Sequence, residues 1–443
     1  MLIEITQSYD LLVYLQPHGL ILFFLSFVLF PTIWKKAMSL RYKAYSADMA
    51  YSISNGSLSH QRDIFSVIVP VYGEDPDRFE SCISSITKQR PGEIIVVHDK
   101  FDKQIDEIAI KYSCRLIRPV KRLGKRKSLA IGIRLAKHDI LLFVDSDTIL
   151  EENTFTKMII PFRSKDVGIV SCVKKVDPSH NSLGGYISWK MTSLIERVRV
   201  INDKSIDGRL VVSDGRCSLY RKELLLPLLD RFINEYYLGT LSEIGDDRFM
   251  TREIRKKGYR VCLQADAVVS TSAQPSLKRF ITQQLRWRRS GYKYFFKDIH
   301  ERLFMKNGVS YLIQILTYYL GPLFFVAAVA TDIFLLPTTT QIVEHSYALA
   351  LVFMVLGATL ITIIRQAILF GKVDWRDSLF YGIIGFFVLF PMSLYALLTI
   401  KKQSTWGTRG EEISTDQGVM NFIEVKPTNA LSVDKHLLPI FSR

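Results

Sequence analysis

Two kinds of apolar run divide the chain. From about Asp63 to Asp266 they are short and rich in β-branched residues: "FSVIVPV" (65–71), "EIIVVHD" (93–99), "CRLI" (114–117) and "ILLFVD" (140–145). Runs of that length predict buried strands, and the amphipathic stretches between them, such as "KRKSLAIGIRLAK", predict helices. Their alternation predicts a parallel α/β sheet with ligands beyond the carboxyl ends of its strands. Another helix is predicted in "SEIGDDRFMTREIRKKG" (242–258), with carboxylates at its start, Phe249 and Ile254 on a buried stripe and Gly258 closing it.

Elsewhere the apolar runs are longer. Gly19 to Trp34 carries no charge and, with Leu11 to Leu15, suffices for the roughly 20 residues that cross a bilayer. Its basic residues, Lys35, Lys36, Arg41 and Lys43, follow the run, unlike those of a signal peptide, and the positive-inside rule puts the next region in the cytoplasm. Three further runs cover Val309–Pro337, Tyr347–Ile364 and Ser378–Ile400. The Thr338–Thr340 connection, without Lys or Arg, reads as external. Arg365, Lys372 and Arg376 mark the next as internal, as Lys401 and Lys402 mark the tail. Parity then predicts that Ser378–Ile400 does not cross once but forms a broken, re-entrant or interfacial pair hinged near Pro391. An ordinary fourth span with an external tail is the alternative.

Charge narrows the partners. The 443 residues hold 58 Lys and Arg against 43 Asp and Glu, a formal net charge of +15, which suits polyanions or a membrane charge rule. The basic residues cluster beside the apolar runs rather than in an aromatic-interleaved patch, which argues against nucleic acid. Five cysteines, at 82, 114, 172, 217 and 262, show no C-x-x-C spacing, and H-E-x-x-H is absent, so reduced thiols and no zinc site are expected.

Chemistry is expected in the loops after the strands: "VYGED", "HDK" and "DSDT". Asp145 and Asp147, one residue apart, point to the same side and suit Mg2+ or Mn2+, which leave positions for phosphate oxygens. Asp and Ser are also common turn formers, and acidic residues at a helix start also complement its dipole. Neither motif decides alone.

In this order, Val69-Pro70-Val71-Tyr72, Asp145-Ser146-Asp147, Gly245-Asp246-Asp247-Arg248 and Gln283 to Trp287 resemble the membrane-embedded processive synthases of glycosyltransferase family 2: hyaluronan, cellulose and chitin synthases and NodC-like enzymes. "YALLTIKKQSTWGTRG" (395–410) is similar to the Trp-Gly-Thr-Arg segment closing bacterial hyaluronan synthases, so the resemblance covers about residues 63–410. It implies a cytoplasmic GT-A α/β domain combined with transmembrane and interfacial helices. Tyr72 would stack on uracil, with Glu74 and Asp99 near the nucleoside and Lys125 and Arg126 on the nucleotide. Asp145 and Asp147 would hold the diphosphate-bound Mg2+ or Mn2+, Asp147 most directly. Asp247, beside Asp246 in the catalytic motif, would be the general base. Gln283 and Arg286 would face the diphosphate, Trp287 would lie beneath the acceptor's terminal sugar, and Trp406 and Arg409 would belong to a gating segment. Arg288, Arg289 and Lys293 are expected to meet lipid headgroups.

One position departs from the pattern. In "SDGRCSLYRKE" (213–223), where relatives carry a small residue after the glycine that lies at the acceptor site, Gly215 is followed by Arg216. Either Arg216 pairs with a carboxylate such as Asp214, or it recognises an acidic sugar.

The expected organisation is an N-terminal span and interfacial segment (1–62), a catalytic domain (63–275), an interfacial helix (276–308), transmembrane or re-entrant helices (309–402), and a gating segment with a cytoplasmic tail (403–443). Residues 411–443 show no motif. The expected function is inverting, processive polymerisation of UDP-sugars at the plasma membrane, with the growing polysaccharide as acceptor and a channel through the bilayer. Single transfer to a lipid, or a non-catalytic nucleotide-sugar scaffold, are the alternatives.

Overall fold

β1 (Phe65–Val71) shows how the core is built. Phe65, Val67, Val69 and Val71 enter one apolar layer and Ile68 the other, the two-residue alternation of a strand buried on both faces. The computed structural model describes residues 28–42, 64–178, 182–206, 210–335, 343–403, 420–425 and 433–438. They fall into two units, Tyr42–Tyr294 with Ile400–Arg443, and Met1–Arg41 with Phe295–Thr399.

In the first unit the strands are β1, β2 (Glu93–His98), β3 (Arg115–Pro119), β4 (Ile140–Val144), β5 (Ile149–Leu150), β6 (Val167–Asp177), β7 (Cys217–Arg221), the hairpin β8 (Tyr236–Tyr237) and β9 (Thr240–Leu241), β10 (Arg260–Ser272), β11 (Met420–Val425) and β12 (Val433–Leu438). Ten of them form one sheet in the order β12-β11-β3-β2-β1-β4-β7-β6-β10-β5. β3, β2, β1 and β4 are parallel, as expected.

The sheet as a whole is mixed, which corrects the all-parallel expectation. β7 runs antiparallel to both β4 and β6. That direction places the residues entering β7 beside those leaving β4, and the Asp145 N–H donates to the Arg216 carbonyl at 2.9 Å. Strand direction leaves no trace in a continuous apolar run, because both faces are covered either way.

Helices cover both faces. α1 (Pro76–Lys88), α2 (Lys103–Lys111) and α4 (Thr154–Phe162) pack on one side; α3 (Lys125–Leu135) packs on the other, with α6 (Asp246–Lys256). α1 starts where the Asp75 side chain accepts the Arg78 N–H at 3.1 Å, with Pro76 in its first turn. Phe79, Cys82, Ile83 and Ile86 form its buried stripe. Phe249 and Ile254 of α6 are buried as expected. α5 (Leu183–Ser205) joins β6 to β7, and α7 (Leu277–His300) carries the Gln283–Trp287 motif. All five cysteines are free and buried.

The tail adds an element that no sequence motif announces. β11 pairs antiparallel with β3, and β12 with β11. Glu424 accepts from Arg115 through both oxygens, at 2.5 and 3.1 Å.

In the second unit a helix covers 28–41, followed by α8 (Val309–Leu335), α9 (Val343–Phe370), α10 (Trp375–Ile384) and α11 (Phe390–Leu398). The Trp34 indole donates to Ser310 at 3.0 Å, and Lys36 to the Leu369 carbonyl at 2.9 Å. Between α10 and α11 lies a π-helical turn, Gly385–Leu389. The helical path is therefore continuous from Trp375 to Leu398. Over these 24 residues it is the one helix among those described that is long and apolar enough, by length and composition, to cross a bilayer. This corrects the expected break near Pro391. Pro391 lacks an N–H and presses on the carbonyl four residues earlier, at Phe387, and the wider π turn accommodates both without reversing the chain. The Thr338–Thr340 connection lies outside the described residues.

Candidate active site

The loops leaving β1, β2 and β4 meet as the strand pattern predicts. Val71 pairs with His98, so Tyr72 and Asp99 leave the sheet side by side. Both Asp99 oxygens accept backbone N–H groups, from Leu123 and Gly124, each at 2.7 Å, which ties down the loop leading into α3. Burial raises its pKa, and those N–H groups oppose the rise only in part. From the same loop Arg122 stands 4.4 Å from the Tyr72 ring centroid, with Lys100 at 5.8 Å. Ser146 donates to Glu74 at 2.8 Å and joins the loop after β1 to the loop after β4.

Asp145 and Asp147 are half-buried while Ser146 and Thr148 are buried, so the two carboxylates share one side. Lys125, in the first turn of α3, donates to Asp145 Oδ1 at 2.6 Å, and its Nζ lies 3.2 Å from Asp246 Oδ2. A single cation thus links the loop after β4 to the start of α6. Burial works against the Lys125 charge, but Asp145 and Asp246 outweigh it and raise its pKa.

The neighbouring carboxylates of α6 are driven apart. Burial favours protonation of Asp246, yet Lys125 and Arg126 overcome it and hold the group below its usual range. Asp247 is pushed up to about 6, first by burial and then by the negative Asp246. One acid stays ionised and the other is poised to exchange a proton near neutrality. Gly245 makes the packing possible. Its φ is +76°, and a Cβ there would stand 2.0 Å from Ser290 Oγ, so a side chain would meet both backbone strain and α7.

From α7, Arg286 feels the same carboxylates: burial and Arg216 lower its pKa, and Asp246, Asp145 and Asp247 oppose them. The Trp287 ring lies 5.8 Å from the Arg216 guanidinium carbon and 5.9 Å from Lys174 Nζ. Gly215 is against Asp247; a Cβ there would be 3.4 Å from its Oδ2. The structure therefore gathers Lys125, Asp145, Asp246, Asp247 and Arg286 in one electrostatic cluster. Gly215, Arg216 and Trp287 lie beside it, and Tyr72, Glu74 and Asp99 lie along the adjoining strand ends. Gln283 is buried in α7, and Trp406 and Arg409 lie outside the described residues.

Two expectations are corrected. Arg126 does not line an open nucleotide site. It is 1% exposed and donates to Glu235 at 3.0 Å and to the carbonyls of Phe232 and Ile244, each at 2.8 Å. Lys293 does not meet lipid headgroups. It is 0% exposed and donates to Glu235 at 2.8 Å and Ser242 at 2.6 Å. Glu235 offers a buried charge to both, which no nearby motif announces.

Sequence reasoning also missed the network behind Trp287. Lys174 lies 2.8 Å from both Glu196 and Asp214, and Arg199 contacts Glu196 at 2.8 Å and Asp203 at 3.2 Å. Only the Glu196, Arg199 and Asp203 spacing on α5 carries a local signal.

Asp145 and Asp147 supply hard oxygen donors from one side of a strand end, and this donor set fits Mg2+ or Mn2+. Among the described residues no group of three or more His, Cys, Asp or Glu is placed to hold an ion, so Asp145 and Asp147 are the carboxylates that would contact one here. Lys125 already engages Asp145, which leaves Asp147 the more available ligand.

The family described as "Glycosyltransferase like family 2" matches residues 61–290. An N-acetylglucosaminyltransferase of Sinorhizobium fredii is 29% identical over 370 residues, covering 80% of this chain and 86% of the relative. A hyaluronan synthase of Streptococcus pyogenes serotype M1 is 27% identical over 371 residues, covering 78% and 83%. Among solved structures, a mannosyltransferase from Pyrobaculum calidifontis in complex with GDP-Man and Mn2+ shares the fold, with a TM-score of 0.55 at 17% identity, covering 84% of this chain and 99% of that one.

Proposed function

The chain belongs to the glycosyltransferase-like family 2, and from that premise we propose that it is a membrane-embedded, inverting, processive polysaccharide synthase that uses UDP-sugars. It is a glycosyltransferase with a GT-A-like fold. The observation that carries the finer reading is the Lys125 bridge from Asp145 to Asp246, which draws the donor-side motif and the Asp246-Asp247 pair around one place.

Asp247 takes the proton from the acceptor hydroxyl, the freed oxygen attacks the anomeric carbon, and the bond to the UDP oxygen breaks with inversion. Its pKa of about 6 leaves it mostly ionised at neutral pH yet basic enough to accept a proton. Arg286 faces the charge that grows on the leaving diphosphate, with Gln283 beside it on α7, and Trp287 supports the acceptor's terminal sugar. When bound at Asp147 and Asp145, Mg2+ or Mn2+ supplies Lewis-acid neutralisation of that diphosphate. Tyr72, Glu74 and Asp99 hold the nucleoside side of the donor. The N-terminal helix, α8, α9 and the Trp375–Leu398 helix make up a plasma-membrane part through which the product leaves, with the catalytic domain in the cytoplasm.

Relatives named N-acetylglucosaminyltransferase and hyaluronan synthase support this reading. To test it, the purified full chain in lipid nanodiscs is given each common UDP-sugar, singly and in pairs, with Mg2+ or Mn2+. A long polymer, retained on size exclusion and cut by linkage-specific hydrolases, is the expected product. A singly glycosylated lipid would replace the processive reading with single transfer, and no transfer from any UDP-sugar would remove both.

A further inference from the structure

Arg216 is 8% exposed, and the carboxylates around it act on its guanidinium through charge rather than through a side-chain hydrogen bond. Its Nη1 is buried without a hydrogen-bond partner. The obvious partner is already engaged. Asp214 accepts the backbone N–H of Arg216 itself at 3.0 Å, while its other oxygen meets Lys174 at 2.8 Å and Arg199 at 3.5 Å. Asp147, Asp214, Glu196 and Asp145 act on Arg216 only through space; they outweigh burial and keep it protonated. A buried cation with an unmet donor is costly unless something else completes it.

Its position limits what that can be. The guanidinium carbon lies 5.8 Å from the Trp287 ring centroid, and the preceding residue, Gly215, rests against the Asp247 carboxylate. Gly215 and Trp287 put the group that completes Arg216 beside Asp247, where the acceptor's terminal sugar would stand. That group must also be anionic and planar enough for a guanidinium, which fits a carboxylate.

Resting on the acceptor assignment above, we infer that Arg216 binds the carboxylate of a uronic acid at the acceptor's terminal position, with that sugar ring lying on Trp287. The site then selects chains that end in an acidic sugar. A neutral chain end leaves Arg216 unsatisfied.

The test is equilibrium binding, which needs no turnover. The probes are β1,3- and β1,4-linked oligosaccharides of four to six sugars with glucuronate at the non-reducing end, and the same compounds after chemical reduction of that carboxyl to the neutral hydroxymethyl. Binding to the full chain in nanodiscs, with UDP present, is followed by tryptophan fluorescence. The expected result is roughly 10- to 100-fold tighter binding of the acidic end in at least one linkage series. Arg216→Gln should remove that preference while UDP affinity, a check on folding, stays within about twofold. Equal affinity of acidic and reduced probes for the unaltered protein would overturn the inference, as would a preference that survives Arg216→Gln. Sugar transfer with no such preference leaves the synthase reading intact and removes only this inference, whereas absence of all transfer removes the synthase reading and leaves the binding ratio to stand on its own.

Discussion

Lys125 and Asp145 share a charge-assisted hydrogen bond of 2.6 Å between the first turn of α3 and the end of β4, and the same ammonium lies 3.2 Å from Asp246. Lys125→Met should therefore leave two buried carboxylates facing each other. Transfer is expected to fall at least about 100-fold, and the pH midpoint of the remaining activity should rise, because Lys125 also holds down the Asp247 pKa. Steady-state kinetics from pH 5 to 9 checks both. An unchanged midpoint would detach Lys125 from the acid pair.

The proposed base, Asp247, implies a pH dependence for the unaltered enzyme. A base must be deprotonated, so kcat/KM should climb as pH rises through about 6 and level off above it. Asp247→Asn should lower transfer by roughly 10²- to 10⁴-fold. Stability should move the other way. The folded state raises this pKa above its unfolded value, so ionisation above pH 6 costs stability; Asn removes that cost and should stabilise by ~1–3 kcal/mol at pH 8 and little at pH 4. Thermal unfolding at the two pH values decides it.

Trp287 is flanked by the cations of Arg216 and Lys174. Trp287→Ala should raise the acceptor KM roughly tenfold or more, with Trp287→Phe intermediate and UDP affinity unchanged. A loss confined to UDP binding would place Trp287 on the donor side.

Glu235 Oε2 accepts from Arg126 at 3.0 Å, Lys293 at 2.8 Å and Tyr294 at 2.7 Å. Glu235→Gln leaves two buried cations without a counter-charge and should cost about 3–5 kcal/mol in a urea or thermal unfolding measurement. A cost below about 1 kcal/mol would show that the neighbouring carbonyls suffice.

The bidentate Arg115–Glu424 pair fastens β11 to the sheet edge. Glu424→Gln should destabilise by only about 1 kcal/mol, since Arg115 is partly open to solvent. Hydrogen exchange should quicken at β11 and β3 rather than across the whole sheet.

Local patterns determined much of this protein. The runs at 65–71, 93–99 and 140–145 declared their strands because burial on two faces demands continuous apolar residues, and the acidic side chains just beyond them had to emerge at strand ends. The α6 stripe was legible for the same reason: a helix repeats its buried face every three to four residues.

Tertiary structure decided what depends on partners distant in sequence. Arg126 and Lys293 look like surface cations until Glu235 is folded against them, and β7 could run either way along β4 with the same apolar pattern. The tail strand β11 became part of the sheet only by meeting the open edge of β3, and Pro391 does not break the helical path because a π turn upstream accommodates it. Burial periodicity is a property of one segment, whereas the neutralisation of a charge or the direction of a strand belongs to a pair. Only the folded chain brings the members of such pairs together.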